Sequence, residues 1–440
     1  MNVLYLHMHD MGRYNSLYGH AIRTPNLESV AQDGTVFTQA FCAGPTCSPS
    51  RGALLTGLYP HSNGLIGLAH RGFTLDDPGR HLAHLMRKNG YYTLLCGIQH
   101  EHRDPFALGY QEVLPHPDDK GGKPGPLERD QATARAAASF LLDWGNRPDR
   151  QPFFLSVGFF LPHRPYLPHK TVDPDRVLPP HCLPNNRQTR EDYADYIESV
   201  QAMDQQAGVV LDALKRSGRW QDTVIVLTTD HGIAFPHMKC NLYDTGIGIT
   251  LVLRIPGREQ PRLSDALVSQ VDVFPTLCDL LCLEAPDDLQ GRSLLPLLGG
   301  SESVRSEVFA EVTYHAAYEP MRCIRTQRHK LIVRYDSEFL KYVLPNIDNG
   351  LAKRFLLVSG IGDVIRSRCE LYDLYLDPAE RNNLVDHPDY AVTYEQLQTR
   401  LGDFMKATDD PILKGPVPRP KGAIVNQKTG IHPEDEQYEK

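Results

Sequence analysis

The chain has 440 residues, 41% hydrophobic and 23% charged, with a mean hydropathy of −0.37. That length is natural for one large domain and a lesser one rather than a single small core. A formal net charge of −8 excludes nucleic-acid binding driven by bulk positive potential, but it does not exclude small anionic substrates at a locally basic site.

Met1-Asn2 leads straight into Val3-Leu4-Tyr5-Leu6, without a basic n-region or a cleavage site, and this apolar run is far too short to cross a bilayer. The run predicts a buried strand ending in His7, His9 and Asp10. Nine cysteines (42, 47, 96, 182, 240, 278, 282, 323 and 369) are scattered without a C-x-x-C pair and read as reduced thiols. The expectation is a cytoplasmic protein with no membrane or nucleic-acid partner; an oligomer stays open.

Further along, Thr24-Pro25-Asn26-Leu27 opens a helix running to Ala31, and residues 36–41 predict a second strand. Cys47 follows at a turn, and residues 50–56 predict a helix whose first turn carries Arg51. A nucleophile at a helix N-terminus is favoured electrostatically, because free N–H groups and the helix dipole stabilise developing anion there. A helix over 81–88 and a strand over 91–96 come next, then Gly97-Ile98-Gln99-His100-Glu101-His102. Two proline-bearing loops and a helix over 129–144 lead to an apolar strand, 153–160, ending at Pro162-His163-Arg164-Pro165. A proline-rich excursion spans 166–190, a long helix 190–217, and the strongest strand 223–228, which ends in Thr229-Asp230-His231-Gly232.

One pattern recurs: an apolar strand, then a His/Asp cluster. It predicts an α/β fold in which one edge of a mostly parallel sheet, sandwiched by helices, carries a single site. From about Glu311 the pattern turns to short alternating segments (321–326, 330–333, 370–375) and a helix over 391–407, which predicts a small antiparallel-sheet subdomain. The expected division is 1–310, 311–410 and a tail, 411–440, draped over the body or disordered.

Cys47-Ser48-Pro49-Ser50-Arg51, followed by Gly52-Ala53-Leu54-Leu55-Thr56-Gly57, resembles the sulfatase signature. Further segments match that plan in order: the strand ending in Asp10, Gly97…His100, Pro162-His163-Arg164, Asp230-His231-Gly232, Lys239 before Asn241-Leu242-Tyr243, and Leu371-Tyr372-Asp373-Leu374 with Asp377-Pro378. Within the family the chain is most similar to the heparan N-sulfatase branch and its bacterial relatives, through C-S-P-S-R, H-S-N-G-L-I-G-L, P-H-R, D-H-G-I-A-F-P, N-L-Y, E-V-T and P-M-R. The resemblance implies the alkaline-phosphatase-like fold and hydrolysis of a sulfate ester or sulfamate on a sulfated sugar, such as a glycosaminoglycan unit.

It also implies that a formylglycine-generating enzyme converts Cys47 to formylglycine, whose hydrate is the nucleophile. One divalent metal, calcium by family precedent, would be held by Asp10, Asp230, His231 and the modified Cys47. Arg51 would hold the hydrate and neutralise charge, and Lys239 would bind sulfate. His163 would donate to sulfate or leaving group, and His100 would help collapse the sulfated intermediate. Each has a purely structural reading beside it: Asp10 or His163 as a turn residue, Lys239 as a solvated lysine, Cys47 as a packed thiol like Cys42. His102, His169 and His237 are expected to be ordinary surface histidines.

Two departures matter. The family's paired Asp-Asp is His9-Asp10 here, so His9 is a candidate nitrogen ligand, which leaves manganese or zinc open. The family lysine of G-K-x-H is Ile98, for which Gln99, His102 or Arg103 could substitute. The first departure also fits the phosphonate monoester hydrolases and phosphodiesterases, which share the nucleophile; the second is the only support for a catalytically silent binding relative. Residues 311–314, 321–322 and 68–71 are expected beside the leaving group.

Overall fold

Every residue from Asn2 to Met8 is buried, the pattern of a strand covered on both faces. In the computed structural model, which describes residues 1–115, 124–146, 151–258 and 261–439, this strand is β1 and lies mid-sheet. The other strands of that sheet are β2 (Thr35–Phe41), β3 (Tyr92–Gly97), β4 (Glu112–Val113), β5 (Phe153–Gly158), β6 (Thr223–Thr229), β7 (Leu251–Arg254) and β8 (Arg262–Ser269). Their order is β4-β3-β5-β1-β6-β7-β2-β8. β1 pairs in parallel with β5 and β6, Leu4 opposite Leu155 and Ile225, and β7 runs antiparallel to both its neighbours.

Strand alternation splits the core into two layers. Val3, Tyr5, Val224 and Val226 face one side, with Leu54 and Leu55 of the helix Cys47–Thr56 and Met86 of the helix Leu82–Lys88. Leu4, Leu6, Ile225 and Leu227 face the other, against Leu27 of the helix Pro25–Ala31, Ala134 of Pro126–Gly145 and Val200 of Arg187–Arg216. The long helix starts three residues before its expected position because the Asn186 side chain accepts from Thr189 N–H and caps it. The helix Cys47–Thr56 likewise starts three residues early. Pro49 is tolerated there because first-turn N–H groups have no intrahelical acceptor. Part of the proline-rich stretch before the helix Pro126–Gly145 lies outside the described residues.

The second sheet is antiparallel, in the order β12 (Cys369–Asp373), β11 (His329–Arg334), β10 (Tyr318–Thr326), β9 (Glu307–Tyr314). An edge drawn after residue 310 cuts through β9. Val308, Ala310, Met321, Ile324 and Leu371 share a core layer with Phe37 and Leu54, so the small sheet packs directly onto one face of the large one. The helix over 391–407 lies where its periodicity put it. The tail is draped over the body: Ile424 N–H donates to the Arg71 carbonyl at 2.8 Å and Asn426 N–H to the Ala316 carbonyl at 2.7 Å. Among the described residues no helix is long and apolar enough to cross a membrane.

Candidate active site

The carboxyl ends of β1, β3, β5 and β6 deliver His9-Asp10, His100, His163 and Asp230-His231 to one edge of the sheet. Asp10 (φ 56°) and His100 (φ 76°) occupy the left-handed region, uncommon for non-glycine residues and frequent at functional loops. The loop after β6 is held so tightly that a Cβ on Gly232 would lie 2.1 Å from the Thr245 carbonyl oxygen.

Asp230 organises the centre. Its Oδ1 accepts from Asp10 N–H (2.8 Å) and His231 N–H (3.0 Å), and its Oδ2 from Arg51 Nε (3.2 Å) and Nη2 (3.0 Å). Asp10 uses Oδ2 to accept from Lys239 Nζ at 2.9 Å, with His163 Nε2 3.9 Å away. His9 sits between layers, Nδ1 at 2.7 Å from Asp10 Oδ1 and 3.5 Å from Asp230 Oδ2, Nε2 at 3.0 Å from His100 Nδ1. The ligating atoms of Asp10, Cys47, Asp230 and His231 all lie within 4.8 Å of one another, as do those of His9, Asp10, Cys47 and His163.

Each charge is set by its neighbours. Burial alone would raise both central carboxyls, but Lys239 and His9 hold Asp10 well below the usual range, and His231 and Arg51 do so for Asp230. Burial would lower Lys239, yet Asp10 and Asp348 keep it firmly cationic. Burial keeps His9 (about 3), His100 and His163 neutral near pH 7. The Cys47 thiol is pushed far up, chiefly by burial, despite Lys239.

A divalent metal fits this donor set. His231 Nδ1–H donates to the Gly232 carbonyl at 2.9 Å, so its Nε2 presents a lone pair; that atom is buried without a hydrogen-bond partner. It faces Asp10 Oδ1 at 3.4 Å and Asp230 Oδ2 at 3.7 Å. Three acceptors converging on one buried point call for a cation between them.

The other sequence-derived residues divide clearly. Arg51 is fully engaged, on Asp230, His7 Nδ1 and the Met8 carbonyl, so its evident work is to neutralise and orient Asp230. Two of the three candidates to replace the missing lysine at Ile98 are committed within their own loop: the Gln99 side chain closes it on Glu101 N–H, His102 N–H and the His102 carbonyl, and the His102 ring meets the Asp104 backbone, while Arg103 is exposed. Glu311 and Arg322, expected beside the leaving group, are buried in an ion network with His61 and Asp410 that consumes their bonding capacity. The stretch 68–71 approaches the cluster through His70, whose pKa is lowered by burial and then by Arg71, His163 and Lys239. His237 is not a plain surface residue, since Tyr342 Oη lies 3.1 Å from its Nδ1 and burial pushes it down to about 4.

His7, named with the first strand but given no role, belongs here, as do three residues the sequence did not single out. His7 braces Arg51, and Glu101, buried with both oxygens unpartnered, is pushed up to about 8 by burial. Asp348 approaches Lys239 at 3.3 Å and His315 stands beside both. The signals of Glu101, Asp348 and His315 are long-range contacts, with no local motif to betray them.

Residues 1–282 match the sulfatase family, and residues 233–347 match the C-terminal domain described for N-sulphoglucosamine sulphohydrolase. The human N-sulphoglucosamine sulphohydrolase is 31% identical over 477 aligned residues, covering 94% of this chain and 92% of that protein. A solved structure tied to metabolism of multiple glycosaminoglycans by Bacteroides thetaiotaomicron superposes with a TM-score of 0.74 at 25% identity, covering 95% and 99% of the two chains. The phosphonate monoester hydrolase of Agrobacterium radiobacter superposes with a TM-score of 0.72 at 24% identity, again over 95% and 99%, a likeness of fold.

Proposed function

The chain belongs to the sulfatase family, and we propose that it hydrolyses a sulfate ester or sulfamate on a sulfated sugar, of the glycosaminoglycan kind, with Cys47 as formylglycine. The observation that carries this reading is the convergence of Asp10, Asp230, His231 and Cys47 on one buried point, with Lys239 beside it. The state of Cys47 supports it too. A buried thiol with its pKa raised is a poor nucleophile at neutral pH, whereas an aldehyde hydrate does not depend on thiolate formation. A formylglycine-generating enzyme, with dioxygen as oxidant, would convert the Cβ of Cys47 from CH2–SH to an aldehyde, with loss of the sulfur.

Asp10, Asp230, His231 and His9 would hold a divalent metal, which would supply charge stabilisation at a sulfate oxygen and at the Cys47-derived group. Calcium is what the family implies; the two imidazole nitrogens favour manganese or zinc, and elemental analysis of the purified protein separates these. The chain's own groups complete the site. Lys239 offers N–H donors to sulfate, and Arg51 keeps Asp230 ionised and oriented. His163 Nδ1 donates to the Arg164 carbonyl, so its neutral Nε2 offers a lone pair and can accept a proton at the departing group, where the resemblance implied a donor. His100, bonded to His9 through Nδ1, keeps Nε2 for the Cys47-derived group. In the net reaction water adds to sulfur, the S–O or S–N bond breaks, and the sugar regains a hydroxyl or amine.

Phosphonate ester hydrolysis is the second reading, favoured by His9 standing where a paired carboxylate would be. Turnover of a sulfated monosaccharide and of a phosphonate monoester by one preparation tests both. The sulfur substrate is expected to win by at least about 10²-fold in kcat/KM. A phosphonate preference would reverse the assignment.

Lys239→Met should lower kcat/KM on any sulfated substrate by about 10²–10³-fold with the fold retained, because it removes the cation that binds sulfate in this reading. Wild-type kinetics in that variant would remove Lys239 from the site.

A further inference from the structure

The two halves of the site are held by different means. Cys47 opens a buried helix, and the metal cluster, His100 and His163 sit just past the ends of strands. Three further side chains stand around Lys239 without such support: His70, His315 and Asp348. His70 lies in a single helical turn (Ala69–Arg71), His315 in the turn between β9 and β10, and Asp348 in the irregular stretch after β11. Asp348 lies 3.3 Å from Lys239 and helps to keep it cationic, and His70 is exposed. These three form the outer wall of the site.

Their stretches meet on the tail. Arg71 accepts from Ile424 N–H at its carbonyl (2.8 Å) and donates from Nη1 to Asn426 Oδ1 (2.6 Å) and from Nη2 to the Pro433 carbonyl (2.8 Å). Asn426 N–H donates to the carbonyl of Ala316, the neighbour of His315, at 2.7 Å. Asn349, the neighbour of Asp348, donates from Nδ2 to Glu434 (2.6 Å), and His432 Nδ1 lies 2.7 Å from its Oδ1. Within its own stretch Asp348 is fixed by Asn346, whose Oδ1 accepts from Ala317 N–H (2.8 Å), and by Lys353. The Lys353 ammonium donates both to the Ile347 carbonyl (2.7 Å) and to the tail at the Ile431 carbonyl (2.8 Å).

Asn426 is the keystone of this arrangement. Besides its bonds to Arg71 and Ala316, its Nδ2 donates to the Asp435 and Pro433 carbonyls (2.9 and 3.3 Å), closing the tail loop on itself. An asparagine presents an acceptor and two donors at one point. This one is 0% exposed, so its removal would leave Arg71 and those carbonyls short of partners where little water reaches them.

We propose that the tail segment 424–435, keyed by Asn426, is a positioning element of the active site: it holds His70, His315 and Asp348 as the wall against which the sugar of the substrate lies. This rests on the sulfatase reading above and deepens it by adding a stretch remote from every motif. The wall contributes binding, while the reacting bond is met by groups fixed independently of the tail. Loosening the wall therefore weakens ground state and transition state alike, which raises KM and spares kcat.

The test uses full-length, formylglycine-bearing enzyme and whichever of N-sulfoglucosamine and glucosamine 6-O-sulfate is turned over better. Asn426→Ala should raise KM at least about tenfold while kcat stays within about threefold. His432→Ala, at a half-buried tail position, should raise KM about threefold. Hydrogen–deuterium exchange should quicken in 68–72, 314–318 and 346–350 of both variants and stay as in wild type in β1 and β6. A tail that merely stabilises the fold gives the opposite split, with kcat per total enzyme falling alongside the folded fraction and KM unchanged. An unchanged KM, or wild-type exchange in the three stretches, overturns the proposal and leaves the sulfatase assignment standing. Thermal melts verify folding, and should Asn426→Ala not fold, His432→Ala decides by the same two readouts. No turnover of either sulfated sugar, with a phosphonate monoester turned over instead, overturns the sulfatase reading; exchange and the KM for the phosphonate then judge the tail.

Discussion

Cys47→Ala is expected to lower turnover of sulfated substrates by at least about 10⁴-fold while leaving the thermal melt near that of wild type. Cys47 is the first residue of a fully buried helix and lies within 4.8 Å of the ligating atoms of Asp10, Asp230 and His231. No other thiol joins either cluster around it among the described residues. Its thiol is held protonated by burial, then by the two carboxylates, with Lys239 and Arg51 opposing, so an unmodified Cys47 would make a slow enzyme. Activity should therefore track the fraction of chains whose intact mass carries aldehyde in place of thiol. The alanine side chain is small enough to fit the same space, so loss of rate without loss of fold separates chemistry from packing. Full turnover by Cys47→Ala on both sulfate and phosphonate esters would refute the mechanism.

The inner site was legible because its residues sit directly after apolar runs. A strand buried on both faces reads as continuous hydrophobicity, and where β1, β3, β5 and β6 stop, the next polar residues must face the sheet edge. Asp10, His100, His163 and Asp230-His231 all follow that rule. The outer wall was not legible. Asp348 lies in an irregular stretch between β11 and β12, and it reaches Lys239 only because Asn346 and Lys353 fix its turn. Glu311 and Arg322 show the opposite failure: motif position placed them near substrate, but cross-strand pairing of β9 with β10 put Arg322 opposite Glu311, buried beside Asp410. The strands β7 and β8 and the start of β9 escaped: β7 has only four residues, and the first half of β8 is largely exposed, so it shows no continuous apolar run. Their pairing partners are distant in sequence, and pairing rather than local pattern made them strands.

That same network yields the largest expected effect on stability. Arg322 donates from Nε to Asp410 Oδ2 at 2.6 Å and from Nη2 to Asp410 Oδ1 at 2.9 Å, lies 3.6 Å from Glu311, and also bonds the Val312 carbonyl. His61 in turn meets Glu311, donating its backbone N–H at 2.7 Å. The cluster thus ties a turn of the large domain, two strands of the small sheet and the segment after the last long helix. Arg322 is 1% exposed and Asp410 likewise, so removing the cation leaves two carboxylates buried with little solvent to screen them. Arg322→Met should cost about 3–5 kcal/mol in urea unfolding, far beyond a surface pair.

The pH dependence has a definite sign. Burial would raise the Asp410 carboxyl, but the Arg322 hydrogen bonds and charge bring it below its ordinary value. A depressed carboxyl contributes stability above the unfolded-state pKa, near 3.9, and loses it as pH falls through the lower folded value. The gap between wild type and Arg322→Met should therefore be full at pH 6–7 and shrink below about pH 4. A gap under about 1 kcal/mol at neutral pH, or one that widens in acid, would mean that the helix, the small sheet and the large domain are held together by the shared apolar layer alone, with the buried charges tolerated rather than stabilising.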